Sequence, residues 1–175
     1  MVMTDLDALI DLDVLAAWMD ERGLESGPLT NVSPISGGTQ NVLLRFTRGD
    51  REFVFRRPPP HKRKNSDEAM RREARVLAAL VGTDVPHPAL IAACDDIETL
   101  GATFYLMDPV DGFNATRGVP EPHASGLGLQ RSMGFAMADG LLALAAIDPD
   151  ERGIADLGTF EGWAERQVGR WRSQL

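Results

Sequence analysis

The chain has 175 residues, 43% hydrophobic and 25% charged, enough for one well-filled core or for a small lobe and the start of a second. Its net charge of -8 at pH 7 argues against bulk nucleic-acid binding, which needs a surplus of Lys and Arg. The one cysteine, Cys94, excludes an internal disulfide, and its apolar setting predicts a small buried side chain rather than a nucleophile.

The N-terminus opens on Asp5, Asp7, Asp11 and Asp13 and lacks the basic-then-apolar order of a secretion signal. No apolar run approaches the roughly 20 residues that span a bilayer. The expectation is a cytoplasmic protein without a membrane partner.

In chain order, residues 12 to 22 read as a helix capped by Asp11 or Asp13 and stopped by Gly23, with Leu12, Leu15, Trp18 and Met19 as its apolar stripe. Gly27-Pro28 breaks the chain, and Leu29 to Ile35 reads as a first strand. After Gly37-Gly38 comes a second strand, Val42 to Thr47, with Val42, Leu44 and Phe46 on one face. Arg48-Gly49-Asp50 is read as a turn, and Arg51 to Arg57 as a third strand with Phe53 and Phe55 opposite Val54. Pro58-Pro59-Pro60 ends it, because three ring nitrogens cannot donate to a ladder.

Ser66 or Asp67 starts a helix through about Leu80, with Met70, Ala74, Leu77 and Val81 on its buried side. Leu90 to Ala93 and Thr103 to Met107 complete five strands, with a turn bracketed by Asp95, Asp96 and Gly101 between them. Asn114 to Gly128 has no clear period and reads as a connector. A helix follows from Leu129 to Ile147, despite Gly134 and Gly140. Thr159 is expected to cap a final helix with Phe160, Ala164, Val168, Trp171 and Leu175 as its stripe. Trp163 and Trp171 each carry on the order of 200 Å² that favours burial, and few elements after residue 128 are available to cover them.

The segment with the most chemistry is Ser36, Gly37, Gly38, Thr39, Gln40 and Asn41. Glycines there let backbone N–H groups approach phosphate oxygens without a Cβ in the way, although an ordinary hairpin turn uses the same residues. The loop has neither the order of a Rossmann turn nor the ending of a P-loop. Arg56 then lies near the end of the third strand, and Glu73 lies beside the buried stripe of the helix. The plain alternatives are an exposed strand-end charge for Arg56 and a surface pairing of Glu73 with Arg72 or Arg75. Arg57 points to the opposite face from Arg56 and is expected to be solvated. His61, His87 and His123 are scattered, and Asp148 and Asp150 read as a helix-end turn, so no metal or triad constellation emerges.

In combination, SGGTQNVLLRF (36–46), REFVFRRPPP (51–60), EAMRREARVLAALVGTDVPHP (68–88), ATFYLMDPVDG (102–112), LLALAAIDPD (141–150) and WAERQVGRW (163–171) resemble the aminoglycoside phosphotransferase family. The likeness is to the branch of kinase-like domains fused to acyl-CoA dehydrogenases, and to the N-terminal half of a family member. The resemblance implies an α+β fold: a protein-kinase-like N-lobe, with a five-stranded antiparallel sheet plus helix, followed by the first helices of an incomplete helical C-lobe. The implied boundaries are 1–112 for the N-lobe with hinge and 113–175 for the start of the C-lobe.

The resemblance further implies that residues 36–41 cover the phosphates of ATP or GTP and that Arg56, where kinases usually carry Lys, orients them with Glu73. It places Met107, Asp108 and Val110 at a hinge meeting a purine edge. Mg²⁺ ligands and a catalytic base are expected outside this chain, because no His-Gly-Asp string occurs in it. The implied reaction of a complete member is transfer of a γ-phosphoryl group to a hydroxyl of a small-molecule acceptor, with this chain alone inactive. The rival readings are a non-catalytic nucleotide-binding or interaction module, self-associating or joining a missing C-lobe, and, more remotely, an RNA surface on Arg56 to Arg75.

Overall fold

The computed structural model describes residues 10–35, 41–159 and 161–173. Helix α1 (Leu12–Asp20) begins at Asp11, whose carboxylate accepts the N–H groups of Asp13 and Val14 at 3.1 Å. Three strands follow, β1 (Thr30–Pro34), β2 (Val42–Arg48) and β3 (Arg51–Arg57). Helix α2 (Ser66–Ala79) leads to β4 (Leu90–Cys94), the one-turn α3 (Ile97–Leu100) and β5 (Phe104–Met107). Two further helices are α4 (Leu127–Ala145) and α5 (Trp163–Arg172), with single 3₁₀ turns at Ala115–Arg117 and Ala155–Leu157. The connector expected over 114–128 therefore contains one such turn and runs directly into α4. Among the described residues, no helix is long and apolar enough to cross a membrane.

The five strands form one antiparallel sheet in the order β1-β2-β3-β5-β4. The β2–β3 register pairs Arg48 with Arg51, leaving Gly49-Asp50 as a two-residue turn. Gly49 has φ +56°, a left-handed conformation that glycine adopts without the cost of a Cβ.

The sheet is covered on both faces. On one, α1 delivers Leu15, Trp18 and Met19 onto Leu44, Phe46, Phe53, Phe55, Phe104 and Leu106. Trp18 meets Phe104 edge-on at 4.8 Å between ring centroids. Cys94 is buried in this core. On the other face, Met70 and Ala74 of α2 close over Tyr105, with Leu77, Leu90 and Met107 at the margin.

Several expectations are corrected. Arg48 is not a turn residue: it ends β2 on the core face, 1% exposed, beneath α1. Its guanidinium donates to the carbonyls of Gly27, Ala16 and Leu24 at 3.0, 3.0 and 3.4 Å and to Asp20 at 2.5 Å. Arg57 is buried rather than solvated, donating to the carbonyls of Pro58 and Leu100 at 3.2 and 3.1 Å. Val81 is 57% exposed because α2 has ended before it. The turn after Asp96 is helical, capped by the Asp96 carboxylate on the N–H of Glu98 at 2.9 Å. Helix α5 starts at Trp163 behind Gly162, not at Thr159, and the ends of its expected stripe, Phe160 and Leu175, lie outside the described residues. Trp163 and Trp171 are 59% and 71% exposed, and Leu141, Leu142 and Leu144 of α4 also face outward.

Candidate functional site

Strand alternation decides what reaches the α2 side of the sheet. Arg56 pairs with Tyr105 across the β3–β5 ladder and Val54 with Met107, so Arg56, Tyr105 and Met107 project together. Helix α2 lies above them, and its 3.6-residue period puts Glu73 on the same side as Met70 and Leu77. The result is a direct ion pair: an Arg56 nitrogen lies 2.9 Å from Glu73 Oε2. The Tyr105 hydroxyl donates to that same oxygen at 3.2 Å. Glu73 pairs with Arg56, not with Arg72 or Arg75, which are engaged elsewhere.

Both members of the pair line one cavity, and Glu73 also lines a second. A cleft of about 570 Å³ is bounded by Arg56, Arg72, Glu73, Leu77, Tyr105 and Met107, with Leu157 at its far side. A smaller hollow of about 220 Å³ shares Glu73 and is edged by Asn41, His61, Arg63 and Ser66. The first is mostly apolar and carries Arg56, Arg72 and Glu73; the second sets the donors of Asn41, His61, Arg63 and Ser66 around the Glu73 carboxylate.

The helix bearing Glu73 is anchored at its start. Asp67 accepts the Thr103 N–H at 3.0 Å and lies 2.6 Å from Lys62 Nζ, which also donates to the Gly101 carbonyl at 3.0 Å. Burial pushes the Asp67 carboxyl upward, but the Lys62 and Thr103 hydrogen bonds outweigh it and hold the group below its ordinary range. Burial pushes the Tyr105 phenol well above its ordinary range; Arg56 opposes this and Glu73 adds to it. Tyr105 therefore stays protonated and donates.

The expected site residues fall into three sets. Ser36, Gly37, Gly38, Thr39 and Gln40 lie outside the described residues. Arg56, Glu73, Met107 and Asn41 border the two cavities. Asp108 and Val110 follow the cleft wall without lining it: the Asp108 carboxylate pairs with Arg51 at 2.8 Å, its N–H donates to the Ala89 carbonyl at 2.9 Å, and Val110 is exposed. Among the described residues, no group of three or more His, Cys, Asp or Glu side chains could hold a metal ion.

Sequence reasoning missed Tyr105 and the contacts of α2 with residues 152–157. Tyr105 could have been found, since it follows the expected hinge-strand alternation and faces Arg56. The pairing of Arg75 with Asp156 carries no local signal.

The profile of the phosphotransferase enzyme family matches residues 31–175. IBR3 of Arabidopsis thaliana, described as a probable acyl-CoA dehydrogenase, is 32% identical over 150 residues, covering 82% of this chain and 18% of that protein. The acyl-CoA dehydrogenase family member 11 of Homo sapiens is 26% identical over 169 residues, covering 94% and 21%. The crystal structure of a candidate aminoglycoside phosphotransferase from Ralstonia eutropha superposes with a TM-score of 0.72 at 28% identity, covering 94% of this chain and 47% of that one. The chain thus spans about a fifth of these curated relatives and about half of the solved neighbour. The expected α+β, kinase-like N-lobe architecture is the one these comparisons and the sheet share.

Proposed function

The chain belongs to the phosphotransferase enzyme family, and from that premise we propose that it forms the nucleotide-binding portion of a small-molecule kinase. The observation that carries the reading is the Arg56–Glu73 pair, buttressed by Tyr105 at the mouth of the cleft. A guanidinium oriented by a carboxylate, bordering a cleft, is the kind of fixed planar cation that suits phosphate oxygens. In this reading Ser36 to Asn41 cover the phosphates, the purine lies against Met107, and the backbone near Asp108 and Val110 meets its edge. Residues 1–112 act as the nucleotide lobe with its hinge, and 113–175 begin the helical lobe.

Phosphoryl transfer asks mainly for positioning and charge neutralisation. Arg56 contributes both on the nucleotide side. In the reaction of this proposal the bond between the γ-phosphorus and the β–γ bridging oxygen breaks, and a new bond forms to the acceptor hydroxyl, which gives up its proton. The family generally uses ATP with Mg²⁺; among the described residues no group of three or more His, Cys, Asp or Glu side chains could hold the ion by itself. A second reading, an interaction module, is favoured by the outward-facing Trp163, Trp171 and α4 leucines, which a partner or a second copy would cover.

Calorimetric titration of the chain with ATP and with GTP, in magnesium buffer, tests the proposal. Saturable binding is expected, weakened more than tenfold by Arg56→Ala. Binding that is absent, or indifferent to that substitution, refutes it.

A further inference from the structure

We infer that Arg75 and Asp156 are positioning residues for the phosphate-binding pair, strapping the distal half of α2 so that Glu73 stays on Arg56; the inference rests on the nucleotide reading above. At its start α2 is already fixed by Asp67 to Thr103 and Lys62. From there to Glu73 is nearly two turns, and the helix continues to Ala79. Met70 and Ala74 pack that stretch on the sheet, but apolar packing is not directional and leaves the half beyond Glu73 without a polar tie of its own.

The strap supplies the second tie. The Arg75 guanidinium grips both Asp156 oxygens, at 2.7 and 2.8 Å, and donates to the Gly153 carbonyl at 3.2 Å. Arg72 donates to the Leu157 carbonyl, and Arg152 reaches back to the Val81 carbonyl at 3.3 Å. Three arginines thus bind residues 152–157 along the helix, and Glu73 lies between two of them in sequence. Arg72, Glu73 and Leu157 border the same cleft. A rocking motion of about 1 Å at Glu73 would carry Oε2 out of hydrogen-bond reach of both Arg56 and Tyr105. The segment 152–157 follows α4, so the strap also couples the helical region to the geometry of the phosphate-binding pair.

The forked Arg–Asp geometry makes the strap directional, yet the pair is open to water, with side chains 45% and 65% exposed. Its effect is therefore modest: about two- to five-fold on nucleotide affinity, shrinking in high salt.

The chain has one tyrosine, Tyr105. Grown with 3-fluorotyrosine, the full chain gives a single fluorine resonance that reports the Tyr105–Glu73 contact without nucleotide. Arg75→Glu and Asp156→Arg are expected each to raise the Kd for ATP with magnesium about two- to five-fold and to shift or broaden that resonance. The reciprocal double variant should bring both readouts back toward native values, which general destabilisation would not produce. The milder Asp156→Asn serves if either reversal folds poorly. Native affinity and a native resonance in the single variants overturn the inference, as does a double variant that restores neither. Arg56→Ala separates the two layers: if it binds ATP as well as native, the nucleotide reading fails, while the fluorine measurement still decides whether the strap seats Glu73.

Discussion

Replacing Arg48 with Met removes a buried cation whose partners are mostly backbone. Three carbonyls, of Ala16, Leu24 and Gly27, lose a charged donor, whereas Asp20 is more than half exposed and turns to water. Each lost bond to a charged donor is worth about 1.5 kcal/mol or more, and the methionine recovers part of this as apolar burial, leaving a net loss of about 2–4 kcal/mol. For a chain of this size that corresponds to a melting temperature lower by about 5–15 °C, read by far-ultraviolet circular dichroism. Asp20→Asn keeps an acceptor in place and should cost no more than about 1 kcal/mol. The reasoning fails if Arg48→Met melts like the native chain, or if Asp20→Asn costs as much as Arg48→Met. The latter result would make the charge pair, rather than the carbonyls, the source of stability.

Glu73→Gln keeps the shape of the site but removes the charge that steers Arg56; it should weaken ATP binding by about three- to tenfold in titration calorimetry, with little change in melting because the pair is part-exposed. The Tyr105 phenol ionises above its ordinary value of 10.0 in the folded state, so its stabilising contribution is complete below pH 10 and is lost as pH rises beyond it. Phenolate absorbance in an alkaline titration should therefore appear together with unfolding, not before. The Asp67 carboxyl is held below its ordinary 3.8, so its contribution is present above about pH 4 and is lost as pH falls through and below that value. Asp67→Asn should flatten the acid limb of a stability-versus-pH curve measured by urea unfolding.

The sheet was legible because its determinants are local. Alternating Leu44, Phe46, Phe53 and Phe55, the Gly49 turn and the proline run mark strand lengths directly, and the observed bounds lie within about two residues of the expected ones. The meeting of Arg56 with Glu73 was also readable, since period 2 on β3 and period 3.6 on α2 aim both side chains into one space. Burial of charge was not readable. Arg48 and Arg57 look like surface residues at strand ends, and only the arrival of α1 and of the α3 carbonyl encloses them. Val81 failed for the opposite reason: its spacing fits the stripe, but the helix ends first. The strap from Asp156 to Arg75 joins segments 81 positions apart, beyond the reach of any pattern along the chain.

The strand order has a kinetic corollary. Strands β2 and β3 meet through a two-residue turn, a closure that costs little chain entropy and forms within microseconds. Strand β5 can zip onto β3 only after α2 and β4 have been carried around, a much larger and slower loop. Arg56 thus waits in an early hairpin while Tyr105 and Glu73 arrive late. During synthesis on the ribosome, the Arg56–Glu73–Tyr105 cluster would be among the last features of the sheet to assemble.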